Sequence, residues 1–407
     1  MINSNSQLNL SLFDKIKSVF NGNDIDSNID DDKYQSKLIT GEFNDLHDLN
    51  IAYVLKGFPT LSQTFVLNEL RYLIENNYNV VVFCYRDPMD SVELDLNLEV
   101  VRFDSPDLSE DLSSNLEDLL LEYEIDLIHT HFVYPPCTEF TFPVADKMGI
   151  PFTVFAHAVD IFKYDIEKIN RVDEIANSDY CKAIFTLSEY HKNHLIDRGV
   201  PKEKIVITRQ ATDYEINDLE FKEREVKNII SISRFVEKKG IDVLIDAAKI
   251  LEDDGFEFSI YGFGDLEKDY KKQIEDLGLE NISVKGLLDG PKEVQKVFNQ
   301  ADLLVSPCRI AKSGDRDGIP TVIFEAMAYG VTVLTTSVSA IPEVINDGEN
   351  GFIVNPDNPE ELASKIKEIS DLSAEERFEI AKQAQKDVQN LSSVENTMNT
   401  LFKTWSS

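Results

Sequence analysis

Between residues 51 and 208, short apolar runs alternate with stretches of helical periodicity; the runs fall at 51–55, 80–84, 100–103, 126–130, 152–156, 183–187 and 205–208. Runs this uniformly apolar belong to strands covered on both faces. Strands separated by helix-length connections pair in parallel. A second alternation begins at residue 228, with runs at 228–232, 256–261, 282–285, 303–306, 331–335 and 352–354 and helical stretches at 242–252, 265–276, 291–300, 320–329 and 359–370. The expected fold is therefore α/β, two Rossmann-like doubly wound parallel-sheet domains in tandem, with the C-terminal strand ends facing a cleft. The charged stretch 218–227 reads as the join. The domains expected are a disordered or linker tail at 1–48, an N-terminal domain at 49–217, a C-terminal domain at 218–390, and a last helix at 391–407 placed to cross back to the first domain.

Charge narrows the partners. The net charge of −34 excludes nucleic acid as the main partner, because phosphate binding needs clustered Lys and Arg. In the polar tail, Leu12, Phe13, Ile16, Val19 and Phe20 recur at helical spacing beside Lys15 and Lys17. Such a short amphipathic helix suits a peripheral membrane contact or a partner, or folds back on the protein. Cys84, Cys137, Cys181 and Cys308 have no paired spacing and read as reduced core thiols. No run approaches the ~20 apolar residues of a membrane span, so the expected location is cytoplasmic, with a peripheral position at the inner face of the membrane left open. The oligomeric state is not legible.

Residues 313–330 place acid, glycine and proline directly before a nearly all-apolar helix whose one charge is Glu325. Pro320 suits the first helical position and Gly330 the position past the end. A helix apolar on all sides is buried, and a buried carboxylate needs a cation, hydrogen-bond donors or a ligand's hydroxyls. Asp317 stands just outside the helix start, where free backbone amides attract anions. Taken alone, it reads first as a loop turn residue. Earlier, Ser-Arg-Phe-Val-Glu-Lys-Lys-Gly-Ile-Asp at 233–242 puts Arg234 and Lys239 at the end of a strand, where this fold binds anions. Tyr-Gly-Phe-Gly-Asp at 261–265 repeats the strand-glycine-helix arrangement, and Gly262 and Gly264 would allow close approach by a nucleotide.

With Asp302 to Pro307 and the segment Ala-Ile-Pro-Glu-Val-Ile-Asn-Asp-Gly-Glu-Asn-Gly-Phe-Ile-Val at 340–354, these motifs stand in an order that resembles the nucleotide-sugar-binding half of glycosyltransferase family 4, retaining enzymes of GT-B fold. In the first half, Gly-Phe-Pro-Thr-Leu-Ser-Gln-Thr-Phe at 57–65 and Phe-Ala-His-Ala-Val-Asp-Ile-Phe at 155–162 look like the branch that builds extracellular polysaccharides, the colanic-acid type. The resemblance covers about 50–405. It implies a donor-diphosphate contact for Arg234 and Lys239, a ribose contact for Glu325, a donor-sugar contact for Asp317, and phosphate or sugar contacts for the backbone at Gly318, Ile319 and Thr321. His157 is implied to meet the donor sugar near its anomeric carbon, with Asp160 orienting it or closing its loop. Lys56 and Gly57 would meet the leaving phosphate or the acceptor, and His131 would face the same cleft. The family has glutamate where this chain has Asp317, one methylene and about 1.5 Å shorter.

The implied activity is retaining transfer of a hexosyl group from a UDP-, GDP- or ADP-sugar to a hydroxyl of a glycan or lipid-linked glycan. No other cofactor and no metal are expected, since basic residues and a helix end would carry the leaving group. Asp315-Arg-Asp317 spells a metal-ligand pair but sits in the phosphate-binding turn. Rival readings are a nucleotide-sugar epimerase of GT-B-like fold and a non-catalytic sugar-nucleotide-binding protein.

Overall fold

A computed structural model describes residues 45–60, 63–87, 96–103, 112–166, 169–212, 216, 218–221, 223–391 and 393–407. The amphipathic stretch expected at 12–20 lies outside these residues, as do Leu61 and Ser62.

The first sheet has seven strands: β1 (Asn50–Leu55), β2 (Asn79–Cys84), β3 (Glu99–Arg102), β4 (Leu127–His131), β5 (Phe152–Phe155), β6 (Cys181–Thr186) and β7 (Ile205–Ile207). Their spatial order is β3-β2-β1-β4-β5-β6-β7, with every neighbouring pair parallel. Six strands make the second sheet: β8 (Asn228–Arg234), β9 (Glu257–Phe263), β10 (Ile282–Gly286), β11 (Leu303–Ser306), β12 (Thr332–Thr336) and β13 (Phe352–Val354), in the order β10-β9-β8-β11-β12-β13 and again parallel. The winding direction reverses between β1 and β4 and between β8 and β11. At such points the connecting helices diverge to opposite faces and leave a crevice beyond the strand C-termini.

Period-two alternation sends each strand's side chains to both faces. On β1, Ala52 and Val54 join one buried cluster while Ile51, Tyr53 and Leu55 join another. On β8, Ile229 and Ile230 divide the same way. The helices that position the site are α1 (Thr64–Glu75), α2 (Glu189–Asp197), α3 (Ile241–Ile250), α4 (Thr321–Ala328), α5 (Pro359–Asp371), α6 (Ala374–Leu391) and α7 (Val394–Trp405). The terminal α7 packs on the first sheet: Met398, Leu401 and Trp405 are buried with Phe65, Val66, Leu70 and Leu73 of α1. The Trp405 indole N–H donates to Thr153 Oγ1 at 3.2 Å, which satisfies the polar tip of a fully buried ring.

Three local differences from the sequence reading matter. The strand expected to stop at 261 continues to Phe263, so Gly262 lies inside β9. Pro320 is the extended N-cap of α4, one position before the first helical residue. β4 runs through His131, which pairs with Phe155, so His131 shares the face of Leu127 and His129 that α1 and α7 cover.

Candidate active site

Around the β8/β11 crevice the loops meet backbone to backbone. Gly262 has φ 137°, and a Cβ there would stand 1.8 Å from the carbonyl oxygen of Ser233; one on Gly264 would stand 2.6 Å from that of Phe235. These glycines let the end of β9 close on the end of β8. The requirement comes from the chain itself before any nucleotide is considered.

On that frame Lys238 and Lys239 meet Asp315 and Asp317. Lys238 Nζ lies 3.0 Å from Asp315 Oδ1 and 3.2 Å from Asp317 Oδ1, and Lys239 Nζ lies 2.5 Å from Asp317 Oδ2. Burial pushes the Asp317 carboxyl up, but Lys239 and Lys238 together hold it well below the usual carboxylate range. Burial likewise lowers the Lys239 ammonium, and Asp317 more than reverses it, leaving it raised. Cys308 Sγ sits 3.7 Å from Asp317 Oδ2, and burial first, then that carboxylate, pushes the thiol up to about 11. In the unliganded protein Lys239 is thus ion-paired, and Asp317 turns its carboxylate to the lysines. Arg234, the last residue of β8, is exposed and has no ion-pair partner among the described residues.

Past Asp317 the chain turns through Gly318 and Ile319 into α4. A Cβ on Gly318 would come within 2.8 Å of His191 Cε1 and 3.2 Å of Leu187 Cδ1, so the turn lies directly against α2 of the first domain. Thr321 opens α4 with its N–H directed out of the helix start. Glu325 follows four residues on, on the same helical face. Its carboxylate has no hydrogen-bond or ion-pair partner among the described residues, and burial pushes it up to about 7. The buried salt bridge considered from sequence is absent there.

The first domain contributes its own crevice at β1/β4. Gly57 is buried just past β1, its carbonyl accepting from Thr60 Oγ1 at 3.1 Å, while Lys56 is exposed. His157, two residues past β5, is 5% exposed. His131 does not face the cleft as expected. It is fully buried behind His157, because β4 extends through it, and its Nδ1 lies 3.1 Å from His157 Nε2. Burial and then His131 depress the His157 imidazole well below its ordinary value. Asp160 accepts from the Val133 N–H, and its own carbonyl accepts from Asn170 Nδ2 at 2.9 Å, so it closes the loops around the histidine. Burial pushes its carboxyl up to about 8.

The two domains touch through charged groups. Arg316 donates to the Tyr190 hydroxyl at 3.0 Å and lies 4.6 Å above the Phe162 ring. The Glu343 carboxylate accepts from the backbone N–H groups of Glu189 and Tyr190, at 3.1 and 2.8 Å, at the start of α2, and Arg209 Nη2 is 3.5 Å away. A cavity of about 310 Å3 lined by Asp218, Arg224, Asp302 and Thr332 lies at the opposite, N-terminal strand edge of the second sheet.

Sequence reasoning missed Lys238, Glu69, Arg316 and Glu343. Glu69 carried a readable signal, since it is an acid on the apolar side of α1 as Glu325 is on α4. Lys238 carried only its place beside Lys239. Nothing local marks Arg316 or Glu343, whose partners are more than a hundred residues away.

Two doubly wound domains with motif loops at both switch points define a GT-B protein. The crystal structure of Anabaena Alr3699/HepE in complex with UDP superposes with TM-score 0.71 at 19% identity over 88% of this chain and 100% of that one. Sucrose-phosphate synthase from Thermosynechococcus elongatus does so with TM-score 0.68 at 17% identity over 87% and 98%. The chain matches the glycosyl transferases group 1 family over residues 215–387 and glycosyltransferase family 4 over residues 62–215. It is therefore a glycosyltransferase built from a family 4 domain followed by a group 1 domain. Among its relatives, the amylovoran biosynthesis glycosyltransferase AmsK of Erwinia amylovora is 26% identical over 79% of this chain and 91% of its own length. The putative colanic acid biosynthesis glycosyltransferase WcaL of Escherichia coli (strain K12) is 31% identical over 50% of this chain, and the match spans about half (51%) of that relative. Among the described residues, no helix is long and apolar enough to cross a membrane.

Proposed function

We propose that the protein transfers a sugar from a nucleotide diphosphate sugar to a hydroxyl of a glycan or lipid-linked glycan in exopolysaccharide biosynthesis, with retention of anomeric configuration. The observation that carries this reading is Glu325: a part-buried carboxylate, pushed up to about 7 by burial, without a protein partner among the described residues, one helical turn into the helix whose start closes the crevice. Two ribose hydroxyls donating to it would supply the missing partners. Ahead of it, the backbone at Gly318, Ile319 and Thr321 offers N–H groups to phosphate or sugar oxygens at the positive end of α4.

Arg234 is the cation available to the diphosphate, and Lys239 contributes through the ion cluster that fixes the turn. As the glycosidic bond breaks, negative charge grows on the leaving phosphate, and these groups stabilise it most at that point. A phosphate oxygen of the leaving group takes the acceptor's proton, on the same face at which the new bond forms. No carboxylate is assigned as nucleophile, because Asp317 is committed to Lys238 and Lys239. The Asp315 and Asp317 carboxylates are similarly occupied by lysine, which disfavours them as metal ligands. His157 borders the sugar side of the crevice. The relatives named for amylovoran and colanic acid biosynthesis support a glycan-building role.

The test is incubation with UDP-, GDP- and ADP-sugars and candidate acceptors, with detection of free nucleoside diphosphate and of an α-linked product from an α-linked donor. Release of nucleoside diphosphate coupled to product supports the transferase. An epimerised donor without an acceptor product, or no donor binding and no turnover, overturns it.

A further inference from the structure

Three elements of the first domain bring acid and imidazole groups into one file. Glu69 on α1, His131 at the end of β4 and His157 past β5 come from segments far apart in sequence, gathered by the parallel order β1-β4-β5. Glu69 is fully buried; its Oε2 accepts from the Tyr53 hydroxyl at 3.1 Å and lies 3.0 Å from His131 Nε2. His131 Nδ1 in turn lies 3.1 Å from His157 Nε2. We propose that Glu69 and His131 are positioning residues for the cleft histidine, a hydrogen-bonded file that sets the orientation and proton occupancy of the His157 ring. This rests on the transferase reading for its consequence in turnover, but its geometry does not.

Proton counting gives the reason. The carboxylate accepts, so His131 must present Nε2–H to Glu69. The contact between His131 Nδ1 and His157 Nε2 then holds one proton. Either His131 is an imidazolium opposite the Glu69 carboxylate and donates, or His157 donates from Nε2. In both arrangements Nε2 of His157 is closed off, and Nδ1, 3.4 Å from Gln210 Nε2, is the ring atom left toward the crevice. Aromatic rings pack around this imidazole: Phe155, Phe132 and Phe65 have centroids 4.9, 4.3 and 5.0 Å from that of His157. A carboxylate behind an imidazole is the usual device for fixing tautomer and basicity, and its loss commonly costs about 10–100-fold in the function of the group it supports. Burying Glu69 without such a role would cost free energy that an apolar residue avoids.

Two members of the file, with His129, also have the spacing of a metal-binding trio, since Glu69, His129 and His131 offer ligand atoms within 4.8 Å of one another. The experiment separates these outcomes on the full chain. Glu69→Gln keeps the shape and removes the charge, and Tyr53→Phe removes one donor to it. For Glu69→Gln, kcat should fall about tenfold or more with the donor KM changed less than about twofold, and the effect should vanish in a His157→Ala background. Effects of Glu69→Gln and His157→Ala that multiply, or a Glu69→Gln enzyme as active as the parent, overturn the proposal. Independently of turnover, 15N-histidine correlation spectra of the parent and Glu69→Gln chains should show the His157 ring nitrogens shifted by the substitution. Unmoved His157 resonances overturn it even if no donor is turned over, and so does stoichiometric zinc that chelation removes with a change in those resonances.

Discussion

Glu325 couples donor affinity to pH, and the sign can be worked out. In the free protein its carboxyl stands at about 7 against an ordinary 4.5, raised by burial alone. The ionised form accepts from two ribose hydroxyls through charge-assisted hydrogen bonds that the protonated carboxyl makes more weakly, and binding should return it toward its ordinary value. The ionised fraction is about 0.9 at pH 8 and about 0.1 at pH 6. The donor Kd should therefore rise about tenfold from pH 8 to pH 6, a loss of about 1.4 kcal/mol. At pH 6, donor binding should release about 0.9 proton, falling to about 0.1 at pH 8. The ligand must be a diphosphate esterified at both ends, since a terminal phosphate itself titrates near 6 and would mimic the effect. Titration calorimetry in two buffers of different ionisation enthalpy, from pH 5.5 to 8, measures both quantities. Glu325→Gln should flatten the profile. The same group destabilises the free fold as pH rises through the interval from 4.5 to 7, where the unfolded chain ionises first. Glu325→Gln should accordingly stabilise the unliganded protein at pH 8, by about 1–3 kcal/mol after allowance for partial exposure, and not at pH 4.5. A Kd constant between pH 6 and 8, or a slope that survives in Glu325→Gln, would refute the reasoning.

Asp317→Asn leaves Lys238 and Lys239 without their shared counter-charge and should cost about 3 kcal/mol in urea unfolding, while Asp317→Glu keeps the pair and the activity. A loss below about 1 kcal/mol for the asparagine variant would mean that the pair is solvent-screened. Because the Asp317 carboxyl is held low, its contribution is present at neutral pH and is lost only as pH falls below the ordinary aspartate range. Arg316→Ala combined with Glu343→Ala removes both charged contacts between the domains, and small-angle scattering should record a larger radius of gyration with a weaker donor KM; an unchanged radius sinks the idea that these contacts hold the crevice closed. Trp405→Ala should cost about 3–5 kcal/mol by circular dichroism, because it empties the seam between α7 and the first sheet. Unfolding within about 1 kcal/mol of the parent would show that α7 is dispensable.

Much of the molecule was legible because its strands are buried on both faces, which makes their apolar runs continuous, and because the helices between them leave only a parallel sheet as the economical arrangement. Glu325 was legible for the same reason: a charge on an otherwise apolar helix has nowhere neutral to go. Its companion was not. Asp317 could be placed at a helix start, but whether it turned to a ligand or to a lysine depended on side chains 78 and 79 positions away in the chain.

His131 illustrates the boundary more sharply. By sequence it stands one residue past an apolar run and so at a strand end facing the cleft. One further residue of pairing, with Phe155, keeps it on the covered face and turns it toward Glu69. Local pattern determined the elements, their parallel pairing and the apolar helix with its single acid. Tertiary structure alone decided which cation is spoken for, which histidine is reached from the crevice, and where the domains are pinned. Period and composition are properties of neighbours along the chain, whereas an ion pair or a proton file is set by which strands the sheet places side by side.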